Sequence, residues 1–239
     1  MKTRLTYISL IVVCSLLFSC DFETVRVSDE VTTREVGFTD YSGLRVSNAF
    51  NAFVTFSDTE ERIEVEANRN VQDRISVSKE GDLLIVRLDR NTNLRGNVTL
   101  NVYITTKNIE RFEASGASNI TLENALVTPD IALRLSGASG FEGEVDTERL
   151  RLRTSGASRA DIFGSADHLD ADLSGSSDLR DDDLVVTRLR IELSGASEAF
   201  LTVTDTIDIR ASGASTLSFK GDAVIRELRL SDASEIIRR

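Results

Sequence analysis

The tetrapeptide Ser-Gly-Ala-Ser begins at Ser115, Ser136, Ser155, Ser194 and Ser212, and variants stand at Ser174-Gly175-Ser176-Ser177 and Ser231-Asp232-Ala233-Ser234. Successive copies start 21, 19, 19, 20, 18 and 19 residues apart. A near-constant period of this size marks a repeat architecture. The flanks carry the fold. One residue before the first serine stand Ala114, Leu135, Thr154, Leu173, Leu193, Ala211 and Leu230; three before it stand Phe112, Leu133, Leu152, Ala171, Ile191, Ile209 and Leu228. Two residues past the second serine stand Ile120, Phe141, Ala160, Leu179, Ala199, Leu217 and Ile236. Apolar columns separated by polar ones have period two, which means strands with one buried face.

Strand, bend, strand and connection in about 19 residues make one coil of a single-stranded parallel β-helix, with neighbouring coils about 4.8 Å apart. The fold class is all-β, with regular coils over 111–239 and a less regular N-terminal β region over 38–110. Gly116, Gly137, Gly156, Gly175, Gly195 and Gly213 are the expected bend residues, at positive φ. Asp232, in the glycine's place, is among the residues that tolerate such a φ best. Apolar parity runs through the tetrapeptide unbroken, so whether the serines face in or out stays open. Polar columns between the apolar ones predict outward ladders of ion pairs, each worth a few tenths of a kcal/mol.

The chain is acidic, with 28 Lys+Arg against 39 Asp+Glu among 239 residues. Lys2 and Arg4 precede an apolar run from Ile8 to Phe18 that ends in Leu17-Phe18-Ser19-Cys20. The run is short for a membrane span and fits a signal segment, residues 1–19. The ending resembles the lipobox of bacterial lipoproteins, and that resemblance implies cleavage before Cys20 and its acylation. Residues 20–37 then read as a lipidated tether, and the address as the cell envelope, with the outer membrane or surface favoured. Loss of the leader leaves 26 basic and 39 acidic residues, a charge of −13, which disfavours nucleic acid as a partner. The membrane is engaged through the lipid.

Upstream, Leu44 to Phe50 repeats the motif in degenerate form, with Asn48 in the glycine's position. Strands are expected at 62–67, 74–79, 83–89 and 97–105, with a hairpin turn at Glu80-Gly81-Asp82. This region reads as a cap on the open end of the solenoid. The repeated serine-glycine tetrapeptides, the degenerate first copy and the Lys79-Glu80-Gly81-Asp82 hairpin together resemble the head GIN domain family, described as autotransporter adhesins and common in lipoproteins of Bacteroidetes. The resemblance covers about 36–239. It implies a right-handed β-helix similar to pectin-lyase-like proteins without their catalytic residues, and it supplies no functional residues to carry over.

Candidate chemistry is sparse. His168, the one histidine, lies beside Asp167 and Asp170 and needs a nucleophile within reach to act as a base. Zinc is disfavoured with one histidine and no spare cysteine. Asp181-Asp182-Asp183 offers oxygens for a hard cation, but consecutive residues do not all point one way. No catalytic residue, metal ligand or cofactor is assigned. The expected function is a non-catalytic binding, adhesion or scaffolding module whose surface meets a glycan or an envelope protein, with oligomers through the coil ends as a further expectation. The alternative is a polysaccharide lyase or glycoside hydrolase on the same scaffold, which requires a groove lined by acids and bases from neighbouring coils.

Overall fold

The computed structural model describes residues 23–239, so Cys20 and the leader lie outside the described residues. The strands are β1 (Glu23–Arg26), β2 (Val31–Glu35), β3 (Gly43–Val46), β4 (Asn51–Phe56), β5 (Arg62–Asn68), β6 (Ile75–Glu80), β7 (Leu83–Leu88), β8 (Thr92–Arg95) and β9 (Leu100–Thr106), with a 3-10 turn at Arg69–Arg74. They continue as β10 (Arg111–Ala114), β11 (Asn119–Leu122), β12 (Leu126–Val127), β13 (Asp130–Leu135), β14 (Gly140–Thr154), β15 (Arg159–Leu173), β16 (Asp178–Leu193), β17 (Glu198–Ala211), β18 (Thr216–Lys220), β19 (Val224–Leu230) and β20 (Glu235–Arg238).

From β10 onward all pairing is parallel and coil on coil, as the period requires. Phe112 pairs with Leu133, Leu133 with Leu152, and Leu152 with Ala171. The expected inward columns are buried along the stack up to the last coil, where Leu228 and Leu230 are exposed, and each buried Leu or Ile contributes about 1.5–3 kcal/mol. The uneven period is absorbed locally. The coil from Ser174 to Ser194 has an extra residue, and register shifts appear on both sides of β16, between Ala160 and Gly164 and between Arg180 and Val185.

The bend is a single row. Asn48, the six motif glycines and Asp232 all take positive φ. From Gly137 to Gly195, each bend accepts a hydrogen bond from the next coil, as in Ala157 N–H to the Gly137 carbonyl at 2.7 Å. The corner resolves the open question of side-chain direction. The glycines face outward, whereas the second serine of each motif is buried from Ser118 to Ser215. From Ser139 on, its hydroxyl donates to the carbonyl of the first serine three residues back, for example Ser158 to Ser155 at 2.8 Å and Ser177 to Ser174 at 2.7 Å.

The N-terminal region is woven rather than stacked. Strand β3 pairs with both β7 and β10, and β4 with both β9 and β11. The β3–β4 coil is thus sandwiched between later parts of the chain. Antiparallel partners then cover the end: β5 on β9, β2 on β5, and β6 on β7 through the hairpin. The stretch read as a tether is folded from Glu23 on, with β1 parallel to β8 and β2 at the sheet edge. Its polar sequence hid this because the outer face of an edge strand needs no apolar column. At the other end the last coil is uncovered, leaving Val224 and Leu228 65% and 51% exposed. Among the described residues no helix is long and apolar enough to cross a membrane.

Candidate ligand-binding groove

On the face that follows the bend, parallel register aligns Asn101, Asn51, Asn119, Gly140, Arg159 and Asp178 in one outward column. The first three amides form a directional chain. Glu66 accepts from Asn101 Nδ2 at 2.8 Å. An ionised carboxylate only accepts, so Asn101 must present its amino group there and its carbonyl to the neighbour. Asn51 Nδ2 then donates to Asn101 Oδ1 at 3.3 Å, and Asn119 Nδ2 to Asn51 Oδ1 at 3.1 Å. The chain ends on Asn119 Oδ1. That oxygen overhangs Gly140, where a Cβ would lie only 2.6 Å from it. Gly140 therefore leaves a gap in the column with a hydrogen-bond acceptor at its lip.

Beside this column runs a second. Phe53 stacks on Tyr103, centroids 5.2 Å apart and planes 16° from parallel. The Tyr103 hydroxyl donates to the same Glu66 carboxylate at 3.2 Å. Burial first, and Glu66 second, hold the phenol above its ordinary pKa, so it stays a donor at neutral pH. Of these residues Asn51, Asn119 and Phe53, with Gly140, Arg159 and Asp178, line an open groove of about 480 Å³ that Ala138 and Ala157 also line; Asn101, Tyr103 and Glu66 stand behind it and orient them.

The groove lies where two kinds of bend meet. Asn48 and Ala49, like Gly116 and Ala117, take two successive positive φ values, whereas the later glycine bends take one. The inter-bend bond is reversed in the first pair, with Ala49 N–H donating to the Gly116 carbonyl. Ser118 Oγ, alone among the second serines, is buried without a partner among the described residues.

The structure brings the six predicted glycines into one row and places His168 apart from it. His168 is exposed on β15, in register with Arg149 and Arg188. The Asp181-Asp182-Asp183 run falls at the irregularity in β16. Among the described residues no group of three or more His, Cys, Asp or Glu is placed to hold a metal. Sequence reading missed the groove. Its one signal is the break in the column at Gly140, legible only once Asn51 and Asn119 are known to be lateral neighbours.

The sequence profile described as "Putative auto-transporter adhesin, head GIN domain" matches residues 40–223. The chain belongs to the head GIN domain family. Three solved structures share its fold. A "putative adhesin" from Bacteroides fragilis is 17% identical, covers 90% of this chain and 100% of its own, and has a TM-score of 0.84. A "Putative lipid binding protein" from Parabacteroides distasonis is 16% identical over 91% of this chain and 100% of its own, with a TM-score of 0.77. A "putative adhesin" from Parabacteroides merdae is 14% identical over 90% of this chain and 99% of its own, with a TM-score of 0.71. No curated protein matches the chain. This head GIN domain protein is thus adhesin-like in family.

Proposed function

We propose that the protein is a non-catalytic envelope adhesin, anchored by a lipid on Cys20, that binds a glycan in the groove at Gly140. The observation that carries this reading is the amide chain ending on an open acceptor beside an aromatic stack. Sugar hydroxyls pair with oriented amides, and the C–H face of a sugar packs on an aromatic ring. The rigid coils hold these groups without a loop to order, which lowers the cost of binding. A glycan array probed with the protein tests it. Gly140→Leu fills the gap and should abolish binding, and Asn119→Ala should weaken it about tenfold; unchanged binding by both variants would remove the groove from consideration. Lipid labelling in the native host should be lost in Cys20→Ser; persistence of label in that variant contradicts the anchor.

A second reading rests on the same place. Glu142, Asp161, Asp178 and Arg159 reach the groove from successive coils, the kind of arrangement a polysaccharide hydrolase or lyase requires. Turnover of an envelope polysaccharide that vanishes in Asp161→Asn would favour this enzyme over the adhesin. Assembly through the uncovered last coil, at Val224 and Leu228, is the oligomer we propose, and light scattering showing a monomer at high concentration would reject it.

A further inference from the structure

On the face that precedes the bend, the outward columns alternate in charge along most of the stack. Arg45 pairs with Glu113 at 2.7 Å, Arg210 with Glu192 at 3.2 Å, and Arg226 with Asp208. The alternation fails where Asp172 faces Glu192, where Asp208 faces Glu227 and Arg210 faces Arg229, and in a window around Ala132, where the like charges are arginines that gather about a concavity. Arg134 is in register with Arg153, and Ala132 with Arg151. Like charges on adjacent strands repel. Arg151 and Arg153 are also in register with Asp170 and Asp172 on the following coil. Yet Arg134, Arg151 and Arg153 make no hydrogen bond or ion pair among the described residues. All three are exposed, and with Arg111 they surround a concavity of about 400 Å³ over the small side chain of Ala132. Arg111 itself is engaged by Asp82 at 3.0 Å and lies 3.9 Å from Glu113.

We propose that this window binds a single oxyanion, the carboxylate or sulfate of a terminal acidic sugar. Planar guanidinium groups match such oxygens in bidentate fashion, and an anion here removes the repulsion between Arg134 and Arg153. The window is about two coils wide, roughly 10 Å. Carboxylates bound it on both sides, Asp82 and Glu113 on one and Asp170 and Asp172 on the other. A densely charged polymer or an anionic membrane would meet those carboxylates and a net charge of −11; one discrete anionic group at the Arg134, Arg151 and Arg153 side meets three guanidinium groups, with Glu113, the one carboxylate lining the concavity, engaged by Arg45. The choice of a sugar rests on the glycan reading above, whereas the choice of an oxyanion does not.

The test is titration of the arginine Nε–Hε signals of ¹⁵N-arginine-labelled protein with galacturonate, galactose and inorganic sulfate. Galacturonate and sulfate should move the Arg134, Arg151 and Arg153 signals saturably, and galactose should not. Arg151→Gln/Arg153→Gln should weaken galacturonate at least tenfold. Ala132→Leu, which fills the concavity and keeps every charge, should do the same. Shifts with sulfate alone would overturn the sugar and leave the glycan groove to stand or fall on its own variants. Unsaturable shifts that track ionic strength, or binding confined to DNA or anionic vesicles, would overturn the site.

Discussion

The regular coils and the woven N-terminal region bury the same kind of core by opposite means. In 111–239 the bends and the strands flanking them stack on their equivalents about 19 positions away, so a requirement at one bend is imposed on the next. Gly156 shows the force of this: a Cβ there would lie 2.5 Å from the Gly137 carbonyl oxygen, itself engaged by Ala157 N–H. In 23–110 positive φ also occurs outside the row of bends. Gly81 in the β6–β7 hairpin has φ +64 and nothing within 4 Å of an added Cβ. The comparison separates two costs that usually travel together, left-handed backbone strain and steric collision along the axis.

The largest expected effect is therefore Gly156→Ala, which should lower stability by more than about 3 kcal/mol, or prevent folding, because collision adds to strain. Gly81→Ala should cost only about 1 kcal/mol, the strain alone. Chemical denaturation measures both, and equal losses would mean that the bends do not press on one another.

Next come the corner serines. Ser177→Ala removes a buried hydroxyl with a good acceptor and should cost about 1–2 kcal/mol. Ser118→Ala, at the junction of the two bend types, removes a hydroxyl that has no partner and should be neutral or slightly stabilising. Melting curves of the pair sharpen the distinction between the junction and the later coils, and a larger loss from Ser118→Ala would erase it. Arg190→Ala should stay within about 0.5 kcal/mol, since its 3.8 Å contact with Glu192 is exposed.

Acid sensitivity should differ as well. Arg74 lowers the pKa of Glu23, Arg111 that of Asp82, and Arg149 that of Asp130, in each case chiefly through a side-chain hydrogen bond. A depressed carboxylate pKa stabilises the fold above its unfolded value, and that contribution is lost as pH falls through the folded value. These pairs serve the N-terminal region and the first coils. Hydrogen exchange on acidification should loosen those parts before the last coils, by a small margin because the pairs are solvent-exposed. Simultaneous loosening throughout would contradict this.

The same contrast explains what the sequence could reveal. Gly116 through Gly213, and the columns of Phe112 and Ile120, were legible because stacking repeats their chemistry in the chain. Asn48 was legible as a degenerate copy of them. The strands at 62–68 and 83–88 could be found by local alternation and the Gly81 turn. Strands β1 and β2 could not, because both are polar edge elements whose partners are far away in sequence. The groove at Gly140 depends on Asn101, Asn51 and Asn119 being neighbours, and the order in which those three stack is set by the woven topology. The arginine window was visible as like-charged neighbours at Arg134 and Arg153, but its concavity depends on Ala132 lying beside Arg151.

Disulfide formation between engineered cysteines tests the stacked row most directly. Ala157 and Ser176 occupy equivalent, exposed positions on adjacent coils, about 4.8 Å apart, within the reach of a disulfide. Ala196 lies a further coil away, about 10 Å from Ala157. In a Cys14→Ser/Cys20→Ser background, Ala157→Cys/Ser176→Cys should oxidise readily within the folded chain, and Ala157→Cys/Ala196→Cys should not. Equal yields for the two pairs, or none for the adjacent pair, would contradict a solenoid that turns once per tetrapeptide.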